Sequence, residues 1–298
     1  PRLLVTVRHP GLLVLVDVDE AGAMKTGAQV ELPDDAWGVA VTADLAVALV
    51  SSAWSAQVSA VDLATPKRLW SLDVGREPRA IAITGDGRAA YVSHLVGSRV
   101  TRLESDERFS ELPSKRQVEL FAAPLRAPSG ATLHASLGYA AVLSPAQDRL
   151  FVARHALGAL GEDAWFGAST VDVLLTPKDE ALAPRRFGTL PYLRADQAKQ
   201  GAELIVAPRP LSPFTQPRAM VYRQKTDTLL VASEGDDTLV ELDATGLDPS
   251  QGVLRTIQLG AEYDPNLPVA QKCAAPAGLA LSREEERAFV FCRASYDL

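Results

Sequence analysis

"REPRAIAITGDGRAAYVSH", residues 76–94, sets the reading of the whole chain. Small and β-branched apolar residues run from Ala80 to Ile83, Gly85-Asp86-Gly87 makes a tight turn, and Ala89 to Val92 resume the apolar run. That is strand, turn, strand, ending on Ser93-His94. The same frame fits "WGVAVTADLAVALV" (37–50), "YAAVLSPAQDRLFV" (139–152), "RAMVYRQKTDTLLV" (218–231) and "AGLALSREEERAFV" (277–290) without gaps. The frame predicts innermost strands near 38–42, 80–84, 140–144, 219–223 and 278–282.

Two more apolar segments follow each of the first four hairpins. The third strands are "QVSAVDL" (57–63), "SRVTRL" (98–103), "STVDVLL" (169–175) and "DTLVELD" (237–243). The fourth are "RLWSLDVG" (68–75), "RQVELF" (116–121), "RRFGTL" (185–190) and "LRTIQLG" (254–260). Four strands per unit and a shortest spacing of 42 residues are the mark of β-propeller blades. The expectation is an all-β, single β-propeller domain over 1–298 built of four-stranded antiparallel blades. They fall at about 2–33 (partial), 34–75, 76–131, 132–214, 215–272 and 273–298 (partial). Two unrelated antiparallel β domains are the competing architecture, which in-frame repeats disfavour. The opening residues match the last three strands of a blade and the closing ones the first two of another, so both ends look cut.

Composition narrows the function classes. With 47% hydrophobic and 22% charged residues, the 298-residue chain can bury a core and is not globally disordered. A net charge of −7 argues against a nucleic-acid binder, which needs concentrated Lys and Arg. No apolar run is long enough for a membrane span.

The motif at 75–93 resembles the YVTN-type (YncE-like) repeat: a Gly ending one blade, Pro-Arg, a small-apolar strand, Asp-Gly, then an aromatic-Val-Ser strand. "VDL" at 61–63 and "ELD" at 241–243 match the ending of that family's third strand, and Pro217-Arg218 keeps its entry. Lys225-Thr226-Asp227 replaces the Asp-Gly turn, and "LSPAQDRLFV" resembles the related Ser-Pro-Asp form. Repeating Gly-His and Trp-Asp pairs are absent, which sets WD40 repeats aside. The resemblance implies a seven-bladed propeller in the uncut protein, with a periplasmic or otherwise secreted location. Some such propellers are joined to c-type cytochrome modules resembling the di-haem cytochrome c peroxidases. Any haem would then belong to a neighbouring domain, since no Cys-x-x-Cys-His occurs here.

Unit starts at Trp37, Arg79, Tyr139, Arg218 and Ala277 grow unequally spaced along the chain. Most of the extra residues fall in 122–138, 156–167, 191–217 and 261–276, which lie at one end of the strands: the second-to-third turn and the link between blades. That loop-rich face is the candidate binding surface, against the plainer account that insertions drifted in where tolerated. The second-strand endings on it hold Arg8-His9, Ser52-Ala53-Trp54, Ser93-His94, Arg154-His155, Ser233-Glu234 and Cys292-Arg293, and Arg79 and Arg218, heading innermost strands, are expected near the channel mouth on the same face. The binding-face candidates are His9, Arg79, His94, His155, Trp165, Phe166, Tyr192, Arg218, Glu234 and Arg293. Trp165, Phe166, Tyr192 and Phe214 are of the type that anchors interfaces, or else packs long loops onto the scaffold.

No catalytic residue is assigned. His9, His94 and His155 sit on non-local blades without local chelate spacing, so hydrogen-bonded turn histidines are favoured over a metal site. A lactonase-like hydrolase would need Glu234 and Asp34 or Asp35 to converge with a His, in some cases with Ca²⁺. No nucleophile elbow, phosphate loop or dinucleotide fingerprint occurs. The expectation is a non-catalytic, extracytoplasmic propeller, without its own cofactor, that binds a protein domain or small ligand on its loop-rich face. The lactonase-like hydrolase is the alternative.

Cys273 and Cys292 are the only cysteines. The repeat register sets residue 292 nearly opposite 276, so Cys273 need only curl back three residues to meet it. A disulfide is expected on that placement and on the secreted character of the family, against two free thiols in a cytosolic chain.

Overall fold

A hydroxyl closes the first turn of nearly every repeat. Thr84 Oγ1 accepts from the Ala89 N–H at 3.0 Å and donates to Asp86 Oδ1 at 2.6 Å. Thr42 does the same with Val47 N and Asp44, while Ser144 and Ser282 accept from Arg149 N and Arg287 N. The third turn residue is left-handed in these four hairpins: Leu45, Gly87, Gln147 and Glu285. In the fifth, Arg223 replaces the hydroxyl residue and the left-handed position moves to the fourth residue, Asp227, at φ 50°. The loss of Asp-Gly there is thus a change of turn, because Asp tolerates that conformation.

The computed structural model describes residues 1–120, 125–126, 132–133, 136–159, 165–182, 214–259 and 273–295, with backbone only at 125–126, 132–133, 156–159 and 165–168. It divides into two compact units, Pro1–Glu119 and Leu120–Leu298.

In the first unit β1 (Arg2–Val7), β2 (Leu12–Val18) and β3 (Met24–Glu31) form a three-stranded sheet. Two four-stranded meanders follow. One is β4 (Ala36–Val41), β5 (Val47–Ser52), β6 (Gln57–Asp62) and β7 (Lys67–Asp73); the other is β8 (Pro78–Ile83), β9 (Ala89–His94), β10 (Arg99–Glu104) and β11 (Ser114–Glu119). All pairs are antiparallel. Strand β1 packs on β4 as β5 packs on β8, so the first sheet holds strands two to four of a blade, as the sequence frame requires.

The second unit begins with a short hairpin, β12 (Leu125–Arg126) and β13 (Thr132–Leu133). A meander of β14 (Ser136–Leu143), β15 (Arg149–Ala159), β16 (Trp165–Leu175) and β17 (Glu180–Ala181) follows. The next is β18 (Pro217–Arg223), β19 (Thr228–Ser233), β20 (Thr238–Asp243) and β21 (Val253–Gln258), then the hairpin β22 (Pro276–Leu281) and β23 (Ala288–Cys292). Among the described residues the only helix is a single 3₁₀ turn, Pro249–Gln251. The insertion read as loop 156–167 differs from expectation: it lengthens β15 and β16, whose ladder runs out to Ala159↔Trp165. An apolar stretch without Pro pairs its backbone groups this way at no cost in unsatisfied N–H and C=O. The expected fourth strand at 185–190 lies outside the described residues, and β17 takes that place in the sheet.

The core lies between neighbouring sheets. Leu49, Val58, Ala60 and Trp70 of one meander meet Ala90, Val92, Leu103 and Phe109 of the next. Val171, Val173 and Phe151 meet Met220, Leu229, Val231 and Val240 in the second unit. Second strands β5, β9 and β19 are buried along their whole length. They are covered on both faces, hence their unbroken apolar character in the sequence.

Candidate functional site

Each innermost strand begins on a left-handed residue followed by a bulge: Asp35, Glu77, Leu137, Gln216 and Ala275. The bulge turns the next side chains toward the strand entrance. Pairings such as Pro78↔His94, Ser136↔His155, Pro217↔Ser233 and Pro276↔Cys292 put the second-strand endings at that entrance too. The predicted residues are therefore set by strand direction at the loop-bearing end of their blades.

In the first unit a buried carboxylate organises the entrance. Asp35 is fully buried, accepts from Arg8 Nε through Oδ1, and has Arg79 Nη1 3.8 Å from Oδ2. Arg79, 5% exposed, also donates to Glu77 at 2.7 Å. The guanidiniums of Arg8 and Arg79 lie 4.7 and 4.3 Å from the Trp37 ring centroid, and Arg8 lies 5.8 Å from that of Trp54. Trp54 is 67% exposed. His9 is largely in solvent, with Nδ1 3.5 Å from Asp34.

His94 is committed to the blade. Its Nδ1 donates to the Arg76 carbonyl at 2.9 Å and Nε2 shares a 2.8 Å hydrogen bond with the Thr101 hydroxyl. Burial, aided by the charge of Arg99, holds its pKa below the usual histidine value. This ring is 1% exposed and offers nothing to a ligand at the surface, which the sequence frame alone did not show.

The second unit brings four predicted residues together. Glu234 receives Arg218 Nε on one oxygen and Arg293 Nη2 on the other. Arg218 lies over the Tyr139 ring, 3.8 Å from its centroid, and Arg293 remains mostly exposed. His155 is 3% exposed, and neither ring nitrogen has a hydrogen-bond partner among the described residues. Burial first, then the positive charge of Arg218, pushes its pKa down to about 4, against a small opposing pull from Asp236. Asp236 itself accepts from Thr215 and Ser233.

Trp165 and Phe166 open β16, where only the backbone is described, and Tyr192 lies outside the described residues. Phe214 is fully buried in the core. The sequence reading set Arg8 and Trp54 among the strand endings of this face without choosing them as candidates, and it missed Trp37 and Tyr139 as entrance residues. Its own alignment held the signal for these two, since Trp37, Arg79, Tyr139 and Arg218 occupy one repeat position.

Cys273 and Cys292 form the expected disulfide, with Cα atoms 5.2 Å apart. It ties the approach to β22 to the end of β23, one residue from Arg293. Among the described residues no three His, Cys, Asp or Glu side chains are grouped to hold a metal, and no helix is long and apolar enough to cross a membrane.

No protein-family model and no curated protein sequence matches the chain. Solved structures do. Hydrazine synthase of Kuenenia stuttgartiensis is 15% identical, with a TM-score of 0.56 over 99% of this chain and 90% of that one. A proposed 6-phosphogluconolactonase of Bacteroides fragilis is 13% identical, with a TM-score of 0.62 over 97% and 74%. The Cps50 (Swd1) β-propeller domain of Myceliophteria thermophila is 12% identical, with a TM-score of 0.56 over 96% and 78%. At such identities the likeness shows the fold: an all-β β-propeller of four-stranded antiparallel blades.

Proposed function

We propose that this chain is a non-catalytic, extracytoplasmic β-propeller that binds a partner domain or small ligand at the loop-bearing end of its blades, as the YVTN-type repeat suggests. The observation that supports this reading most is the state of the entrance carboxylates. Both oxygens of Glu234 are occupied by guanidinium groups, and Asp35 is buried between Arg8 and Arg79. A general base needs an oxygen open to the substrate's proton; these carboxylates are spent on holding arginines in place. What they leave projecting, Arg293, Arg8 and Trp54, is the residue chemistry of a recognition surface. The disulfide supports an oxidising compartment. A c-type cytochrome module is the partner that the repeat resemblance suggests.

A lactonase-like hydrolase is the second reading, favoured by the fold shared with the Bacteroides fragilis protein. It requires Glu234 or Asp35 to leave its arginines, or Asp34, half-exposed and 3.5 Å from His9, to serve as the acid. The two readings separate in one experiment. Wild type and Glu234→Gln are assayed by pH-stat on δ-gluconolactone, and both should hydrolyse it only at the buffer rate. In parallel, Trp54→Ala and the pair Trp165→Ala, Phe166→Ala should reduce quantitative cross-linking to host envelope proteins without lowering the melting temperature. Saturable lactone hydrolysis lost in Glu234→Gln would overturn the binding reading in favour of the enzyme.

A further inference from the structure

The opposite end of the second unit holds a cavity that the binding face does not use. It has a volume of about 450 Å³ and lies between the β14–β15 turn on one side and the β18–β19 and β20–β21 turns on the other. Ser144, Asp148 and Arg149 line one wall, and Tyr222, Asp227 and Thr245 the other. That volume falls within the range of small-molecule sites.

The acids here are placed differently from those of the other hairpins. In the β4–β5 and β8–β9 turns, Asp44 and Asp86 stand two residues past the turn-opening Thr and are consumed by it, accepting the hydroxyl and a backbone N–H. In the two turns flanking the cavity that position holds Ala146 and Lys225. The acid has moved two residues on, to Asp148 and Asp227. Asp148 accepts from Ser144 through one oxygen, and among the described residues Asp227 accepts from the Tyr222 hydroxyl alone, at 2.9 Å. Tyr222 stays a phenol: burial, with Asp227 beside it, pushes its pKa up to about 12.

Among the described residues the cation of the lining, Arg149, is hydrogen-bonded to backbone carbonyls. Arg149 Nη1 donates to the carbonyls of Ala244, Thr245 and Gly246 at 3.1, 3.0 and 3.3 Å, and its charge acts on Asp243 and also on Tyr222. Lys225 points away, to the Glu284 carbonyl, and Arg223 pairs with Glu241. The cavity is therefore left with carboxylate acceptors beside a partly exposed aromatic ring, with its arginine tied to carbonyls. We infer that this groove between adjacent blades is a binding site for an alkylammonium group, held by Asp148 and Asp227 against Tyr222. A free diamine and the side chain of a peptide lysine carry the same chemistry.

The test is titration of the whole chain with 1,5-diaminopentane and, separately, N-acetyl-lysine methylamide, followed by calorimetry and amide NMR. The neutral 1,5-pentanediol is the control. Saturable shifts confined to residues 144–149, 222–227 and 244–245 are expected with the amines alone, weakening at high salt as exposed charge pairs do. Binding by both probes assigns the site to the ammonium group itself; binding by the lysine derivative alone assigns it to a peptide partner. Asp148→Asn and Asp227→Asn keep the hydrogen-bond acceptor, and Asn tolerates the left-handed backbone at 227, so each should fold and weaken binding about tenfold. Tyr222→Phe frees an Asp227 oxygen and should leave binding intact or tighter. Equal shifts with the diol, affinity indifferent to salt, or unchanged affinity in both Asn variants would overturn the assignment.

Discussion

The Arg218 guanidinium lies 3.8 Å from the centroid of the Tyr139 ring, and Arg79 stands at 4.3 Å from Trp37 in the same relation. All four residues hold one position of the repeat. In each unit the aromatic side chain of one innermost strand carries the guanidinium of the next, and a carboxylate holds that guanidinium: Glu234 accepts from Arg218, and Glu77 accepts from Arg79 at 2.7 Å with Asp35 3.8 Å away. The stack depends on a flat, delocalised cation, so lysine is a poor substitute. Arg79→Lys and Arg218→Lys should each lower stability by about 0.5–2 kcal/mol, measured by urea denaturation. Arg283→Lys, at an exposed position on the β22–β23 turn, should leave the midpoint unchanged.

Gly38 makes the approach of the next strand possible. A Cβ there would stand 2.2 Å from the Arg79 carbonyl oxygen, while the Ser51 hydroxyl accepts from Gly38 N and donates to that same carbonyl at 2.6 Å. Gly38→Ala should cost about 1–3 kcal/mol by overpacking. Ser51→Ala should cost about 1–2 kcal/mol by stranding both backbone groups. The double variant should lose less than the sum, since both changes part the same two strands; strict additivity would refute the shared contact.

Much of this was legible because the repeat states it five times. Hairpin turns, strand order and the disulfide partner follow from aligned positions, and Pro276↔Cys292 pairs as the frame requires. The site was half legible. Strand endings located Glu234, His155 and Arg293 and the head of an innermost strand located Arg218, but a position in the repeat does not say which way a side chain turns. His94 and Ser93 share the ending, yet the hydroxyl of Thr101 and the Arg76 carbonyl take the imidazole inward. Trp37 and Tyr139 stood in the alignment as unit starts. Their role emerges only when the neighbouring strand sets an arginine over each ring. The β15–β16 extension was missed because an apolar insertion reads equally as loop packing or as more ladder.

His155 should make the fold sensitive to acid. Its folded-state pKa of about 4 lies below the ordinary histidine value near 6.5, so the unfolded chain binds its proton first. Stability from this group is then fully present above about pH 6.5 and is lost as pH falls from there toward 4. Arg218 and Asp236 are the charges acting on it, and the buried His94 acts in the same direction. His155→Gln should flatten the pH dependence of the urea midpoint between pH 6.5 and 4 while leaving part of the slope to His94. An unchanged slope in His155→Gln would show that the imidazole is already charged in the folded chain.

The disulfide should stabilise the last hairpin and, through it, the Glu234 hub. Cys273 and Cys292 are 19 residues apart in sequence, and a loop of that size contributes about 3 kcal/mol in the chain-entropy picture. The bridge anchors the entry to β22, where Arg293 N donates to the Ala275 carbonyl and Asp237 accepts from Ala275 N at 2.7 Å. Cys292 is 2% exposed, so its replacement must respect volume. Cys273→Ser, Cys292→Ala should lower the melting temperature in the absence of reductant, and dithiothreitol should lower that of the wild type alone. If the bridge also holds Arg293 against Glu234, reduction should weaken the coupling that a double-mutant cycle of Arg293→Ala and Glu234→Gln measures. A cycle of equal magnitude in both redox states would leave the bridge a local staple of residues 273–292, without influence on the entrance.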